Sequence, residues 1–442
     1  MDILSTTALE SNKNIKLNFD GGDLSSDSGL ILLKEFAAKV GFIRTVKTHF
    51  KTQDTALFRR HTDCDNLMQM IYQITAGYFE DDCSDELAKD PILTSLLDKD
   101  SLASQPTISR FFSRMDKSTL TQTVNIGICM REKIYAIKKP EQMLFDLDTT
   151  LFPTYGEQEG NGFNAHYQAD GYHPLLCYDG LTGDLLKAEL REGAKYCSKD
   201  AEWFMRPLLE EFRTKYPELP LYARGDSGFA SPELYEALED NACKYAIRLK
   251  DNPKLRELAT YADEDLFDAT KADQISHAVV YGEFMYQAKS WSHPRRVCFK
   301  IEKPYGQIVH LYTFIVTTME DLEPYQVIRF YCNRGRMENF IGEGKSGFDF
   351  ASVSSHSMEV NASRLALHVL AYNLFNWFRR IVLPASLRKC RIETIRLKLL
   401  KIASRVVHSA RYTIFKLCSS CPYKKEFYET LSNIRNLQPK PE

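Results

Sequence analysis

Two aspartates and a glutamate stand in three short segments whose neighbours suit them to hold divalent cations: FDLDTT (Phe145–Thr150), ARGDSGFA (Ala223–Ala230) and YCNRGRMENFIGEGK (Tyr331–Lys345). In the last of these, Tyr331, Arg334, Glu338 and Lys345 follow one another at intervals of three, four and seven residues. At about 100° per helical residue, the four side chains would share an arc of roughly 60°. One carboxylate among a phenol, a guanidinium and an ammonium suits a metal ion beside a phosphodiester backbone. Carboxylate oxygens bind hard cations, and a guanidinium fork binds phosphate. Two such ions roughly 3.5–4 Å apart can hold the attacking and leaving oxygens of a phosphodiester in line. The plainer reading of the same helix is an Arg334–Glu338 surface ion pair at i and i+4, worth only a few tenths of a kcal/mol. Gly335, Gly342 and Gly344 weigh against an unbroken helix, at about 1 kcal/mol each.

The metal chemistry requires acids delivered by separate elements to one point. In MLFDLDTTLF the apolar Phe145 and Leu147 alternate with Asp146 and Asp148, which predicts a strand with one acidic face. LPLYARGD reads as a short strand ending at Asp226, Ser231 and Pro232 as a helix start, and KYAIRLK as another strand. Between these, the stretch from His166 to Gly193 reads as short strands joined by DG and TG turns, with Asp170 and Asp179 serving the turns. His166 and His173 lack metal-ligand spacing and read as strand histidines. A helix over about 198–215 follows, kinked or restarted at Pro207. Strands, helix, strand, helix, strand predict a mixed α/β sheet with helices packed on it.

After Lys250, alternating segments with Gly and Pro turns predict a strand-rich insertion at about 251–325. Trp291, inside it, is read either as packing or as a stack for a flipped base. The first 135 or so residues read as helices, including one capped by Asp27 or Ser28 and another within CDNLMQMIYQITAGYF. Leu102–Met115 admits a turn and a DNA-reading helix. A long apolar-faced helix lies in NASRLALHVLAYNLFNWFRRIVL.

With 442 residues, 44% of them hydrophobic, the chain can bury a large core in two or three domains. No run suits a membrane span, and the start MDILSTTALESNKN lacks a basic region followed by an apolar one, so the expected location is the cytoplasm. Eleven cysteines without framework spacing predict reduced thiols, and the lone Cys418-x-x-Cys421 is weak as a zinc site. Net charge is only −2, but from Arg379 to Lys416 eleven Lys or Arg face the single acid Glu393. Such a stripe tracks phosphates or forms a solvated basic surface. The acidic stretch Glu80–Asp90 would repel DNA and is expected to face away from it.

These segments together resemble the DDE transposases with a ribonuclease-H-like core, in particular bacterial insertion-sequence transposases of the IS1380 type within the IS4-like superfamily. Asp148 before Thr149 and Thr150 resembles the family's first acid, RGDSGFA the second at Asp226, and Y-x2-R-x3-E-x6-K the third at Glu338. The resemblance runs from about Asp20 into the basic C-terminal region. It implies Asp148, Asp226 and Glu338 as catalytic metal ligands, with Asp146 as the alternate first acid. It implies that Tyr331, Arg334 and Lys345 contact phosphates. The expected cofactor is Mg²⁺, two ions, with Mn²⁺ able to substitute. The expected partners are double-stranded DNA, as terminal inverted repeats and target, and a second copy of the chain on that DNA; no membrane is expected. The expected divisions are a helical DNA-binding region at 1–138, a ribonuclease-H-like catalytic domain at 139–350 and a helical basic region at 351–442. Two other functions stay open: a nuclease on the same core that cuts without joining, and a silent DNA-binding regulator descended from a transposase.

Overall fold

The computed structural model of the protein describes residues 6–270, 277–307 and 309–438. The parts of the expected insertion at 271–276 and 308, and the outermost residues of the expected first and last regions, lie outside the described residues. The chain divides into two compact units. One comprises the described parts of Met1–Lys139, Glu343–Ser352 and Glu359–Glu442, the other Pro140–Gly342 and Val353–Met358.

The second unit is built on an eight-stranded sheet, whose strands are numbered here in chain order. They are β1 (Met143–Thr149), β2 (Leu175–Asp179), β3 (Leu185–Glu189), β4 (Leu221–Gly225), β5 (Lys244–Leu249), β6 (Ala278–Tyr286), β7 (Arg295–Lys303) and β8 (Leu311–Thr317). Their spatial order is β6-β7-β8-β5-β4-β1-β2-β3. The three central strands β1, β4 and β5 run parallel, and β2, β3 and β6 to β8 are antiparallel to their neighbours. Parallel neighbours need a crossover, and helix Pro232–Asp240 supplies the one between β4 and β5. Its start is the expected one: Pro232 opens the helix and the Ser231 hydroxyl accepts the Leu234 N–H at 3.3 Å. Helix Ala201–Lys215, with Pro207 inside it, packs on the apolar face of β1, where Phe145 meets Phe212 edge-on with ring centroids 5.4 Å apart. The result is the expected mixed α/β sheet with flanking helices.

The insertion departs from its reading in two ways. It begins with a helix, Pro253–Thr270, where a strand-rich pattern was expected. Its three strands also join the central sheet, β8 pairing with β5 from Ala246↔Thr317 to Leu249↔Phe314. Alternation specifies which side chains face inward, but the open edge of β5 decides where the new strands hydrogen-bond.

The first unit carries the helical N-terminal stretch together with the basic C-terminal one. Helix Asp63–Ala76 is capped by Thr62, whose hydroxyl accepts the Asp65 N–H at 3.2 Å, and ends at Gly77 with φ +94°. Helix Leu30–Lys39 is not capped by Asp27 or Ser28 as expected; its cap is Gly29, with no side-chain bond. A Cβ on Gly29 would stand 1.8 Å from the Leu399 carbonyl oxygen, so backbone packs directly on backbone there. Asp27 instead takes a 2.6 Å ion pair from Lys401. The C-terminal stretch is not helical throughout: Ser404–His408 and Thr413–Leu417 form a hairpin with Arg405 opposite Lys416. Val406, Val407, Ile414 and Phe415 favour strands, and their pairing outweighs the helical context.

Candidate active site

Asp146 and Asp148 project from the same face of β1 but meet different surroundings. β1 and β4 are in parallel register with Asp146 beside Arg224. Arg224 Nε and Nη2 donate to the two Asp146 carboxylate oxygens at 2.6 Å each, and both side chains are shielded from water. Burial pushes the Asp146 carboxyl up, and the two charge-assisted bonds from Arg224 oppose it. Gly180 makes room for the pair, since a Cβ there would lie 2.2 Å from Asp146 Oδ2. With both oxygens taken by Arg224, Asp146 has the surroundings of a buried structural acid.

Two residues beyond that pair, Asp148 near the end of β1 and Asp226 just past the end of β4 both approach Arg334. Asp148 Oδ1 accepts its neighbour's Thr149 N–H at 2.9 Å, and its other oxygen pairs with Arg334. Asp226 follows β4 on extended backbone and caps the single turn Ser227–Phe229, its Oδ1 accepting the Gly228 N–H at 2.8 Å. A Cβ on Gly228 would stand 2.9 Å from Cys197 Cβ and 3.0 Å from Asp226 Oδ1, which gives the glycine of RGDSGFA a steric role. Burial, reinforced by the Asp226 charge, pushes Asp148 up to about 6 against the pull of Arg334.

Arg334 is the cation between them. Its Nη2 lies 2.9 Å from Asp148 Oδ2 and 3.9 Å from Asp226 Oδ2, and donates to the Leu147 carbonyl at 3.0 Å. It reaches this position because the signature segment is not one helix. Helix Pro324–Cys332 gives way to a tight 3₁₀ turn at Asn333–Gly335, and helix Arg336–Phe348 follows. The four residues therefore do not share the single face computed from an unbroken α-helix. Gly335 marks the break, whereas the helix continues through Gly342 and Gly344; a Cβ on Gly344 would meet the Phe350 ring at 2.5 Å. Arg224 supports this break from below, its Nη1 donating to the Phe330 carbonyl at 2.7 Å in the last turn of the first helix.

The other expected residues are placed as follows. Glu338 is exposed in the first turn of helix Arg336–Phe348. Tyr331 is partly buried against the cluster of Ala246, Ile315, Met319 and Val327, and burial pushes its phenol up. Lys345 lies on the part of the helix that belongs to the first unit, and burial pushes its ammonium down. Trp291 is buried edge-on between Tyr235 and Tyr286 with the Arg295 guanidinium over it, so it packs rather than offering a free stacking face. His173 is buried with Nδ1 at 2.7 Å from the Lys195 carbonyl, and Asp179 serves its turn through the Leu181 N–H and the Thr182 hydroxyl.

Three neighbours escaped the sequence reading. Arg224 carried a signal, standing two residues before Asp226 as Asp146 stands before Asp148. Tyr167, whose hydroxyl lies 3.4 Å from the Thr149 carbonyl, and Cys197, 3.3 Å from the Thr149 hydroxyl, carried none. Burial first, then the Asp148 charge, pushes the Tyr167 phenol up to about 12.

Asp148 and Asp226 fit a divalent cation: hard carboxylate oxygens from two strand ends converge on a single cationic nitrogen. The cradle they form has two acids. Among the described residues no group of three or more His, Cys, Asp or Glu side chains stands ready to hold a metal ion.

The basic stripe is also divided by the fold. Arg379 is buried on Glu343 at 2.8 Å, Arg396 donates to the Thr75 and Ile74 carbonyls at 2.7 and 2.8 Å, and Lys401 pairs with Asp27. Exposed cations remain at Arg388, Lys389, Arg391, Arg405, Arg411 and Lys416.

Compared with known proteins, the chain matches the family described as transposase DDE domain group 1 over residues 7–439. It belongs to that DDE transposase family. No curated protein matches it in sequence. Among solved structures it is similar to the piggyBac transposase of a cryo-EM synaptic complex with hairpin DNA, at TM-score 0.45 and 11% identity, over 85% of this chain and 80% of that one. No helix among the described residues is long and apolar enough to cross a membrane.

Proposed function

We propose that the protein is the transposase of a bacterial insertion sequence of the IS1380 type, binding the element's terminal inverted repeats and catalysing cleavage and strand transfer with Mg²⁺. The observation that carries this reading is the convergence of Asp148 and Asp226 at the ends of adjacent parallel strands, in a chain of the DDE transposase family. In this reading Asp148, Asp226 and Glu338 would hold Mg²⁺, or Mn²⁺ in its place, which would supply Lewis-acid chemistry for phosphodiester cleavage. Glu338, exposed on the helix after the 3₁₀ turn, completes the ligand set when DNA is bound. Arg334 and Tyr331 orient phosphates near the scissile bond, Arg334 through its planar fork, and Lys345 contributes a further cation. Arg224 and Asp146 keep the two strand ends in register. The helical region at 1–138 and the exposed part of the basic region at 351–442 bind DNA outside the catalytic domain at 139–350. Joining two element ends to a target calls for a homodimer on DNA.

The test is to incubate the purified protein with labelled inverted-repeat DNA and a target plasmid, with Mg²⁺ or with chelator. Joined products that require Mg²⁺ and vanish in Asp226→Asn support the proposal. Cleavage without joining would assign a nuclease instead, and specific binding with neither product would assign a regulator.

A further inference from the structure

We propose that Arg334 is an exchangeable counter-cation: it holds Asp148 and Asp226 together until a divalent cation takes them, and then turns its guanidinium to a phosphate of bound DNA. The inference rests on the reading that these two acids are metal ligands. Its basis is that one nitrogen of Arg334 lies where both carboxylates converge, 2.9 Å from one and 3.9 Å from the other. A guanidinium and a divalent ion cannot share that point, because like charges in a partly buried site repel strongly. Two features suit Arg334 to leave. Its Nε is buried with no hydrogen-bond partner, so the guanidinium is incompletely satisfied where it lies. It also sits in a 3₁₀ turn between exposed Asn333 and Gly335, and a Cβ on Gly335 would meet nothing within 4 Å. No neighbour therefore blocks a movement of the turn on its Gly335 side, and the bond that Arg334 gives up on leaving is the one to the Leu147 carbonyl. Metal loading and phosphate binding are then coupled, since the ion that fills the acids frees the arginine.

Isothermal titration with Mn²⁺, without DNA, separates this inference from the reading beneath it. Asp148→Asn and Asp226→Asn are expected to lose Mn²⁺ binding, whereas Arg334→Gln is expected to bind Mn²⁺ about tenfold more tightly than the wild type because its competitor is gone. If the two Asn variants bind as the wild type does, the site itself is misassigned. If they lose binding but Arg334→Gln gains nothing, the exchange is overturned. Arg334→Lys, whose point charge reaches one carboxylate at a time, should show a smaller gain and carries the test should the Gln variant fail to fold. A second arm measures anisotropy of a labelled random-sequence duplex in Ca²⁺ or in chelator. Ca²⁺ should strengthen DNA binding more in the wild type than in Arg334→Gln or Arg334→Lys; an equal effect in all three would overturn the phosphate half of the exchange.

Discussion

Replacing Arg224 by Met would remove one partner of an ion pair that has almost no contact with water, its side chains being 2% and 0% exposed. The variant keeps the bulk of the side chain but leaves the Asp146 carboxylate without its two 2.6 Å donors and the Phe330 carbonyl without its 2.7 Å donor. Breaking a buried pair from one side costs about 3–5 kcal/mol, because the remaining charge keeps its desolvation penalty. For a unit of roughly 200 residues that corresponds to a drop in melting temperature on the order of 10 °C. Adding Asp146→Asn should restore part of the loss, since no buried charge is then unpaired. Urea denaturation of the wild type, the two single variants and the double variant measures the coupling directly. Metal-dependent DNA cleavage by folded Arg224→Met should also fall by tenfold or more, because the turn presenting Arg334 loses its support. A loss of under about 1 kcal/mol in Arg224→Met would show that the pair does not anchor the strand ends, and the argument would fail.

Four further outcomes follow from the same geometry. Asp148 is raised from 3.8 to about 6 in the fold, so protons should compete with Mn²⁺ and binding should weaken as pH falls through about 6, measured by titration at several pH values; affinity that is flat down to pH 5 would contradict it. The native state binds the extra proton between these two values, so ionised Asp148 costs stability above pH 6 and the cost disappears below 3.8. Asp148→Asn should therefore stabilise the metal-free protein by about 1–3 kcal/mol at pH 7 and by much less at pH 4, read from urea midpoints. Gly228→Ala should displace Asp226 and depress cleavage strongly while costing about 1–3 kcal/mol of stability; cleavage at the wild-type rate would refute the steric role. Arg405→Ala with Lys416→Ala should weaken DNA binding and lower its salt dependence by about one to two ions without changing stability, whereas Arg396→Ala should cost about 3 kcal/mol through its lost backbone bonds. Equal effects of the two on stability would deny the division of the basic stripe.

Alternation in FDLDTT placed Asp146 and Asp148 on one face of a strand, and the SP pair at Ser231 placed the start of the crossover helix, because both depend on residues within a few positions of one another. Local spacing likewise marked the strands of the insertion and the long helix Met358–Val382. That Asp146 is the acid bound by Arg224 was not local information: it follows from the register of β1 against β4, which pairs Asp146 with a residue far along the chain. The same holds for Arg379 and Arg396, whose charges read as surface until Glu343 and the carbonyls of Ile74 and Thr75 enclose them. The spacing Y-x2-R-x3-E-x6-K was legible in the sequence, but its geometry was not, since the break at Asn333–Gly335 is stabilised by Arg224 reaching the Phe330 carbonyl. Periodicity sets the direction of each side chain; the partner it meets is decided only when strands and helices from distant parts of the chain pack together.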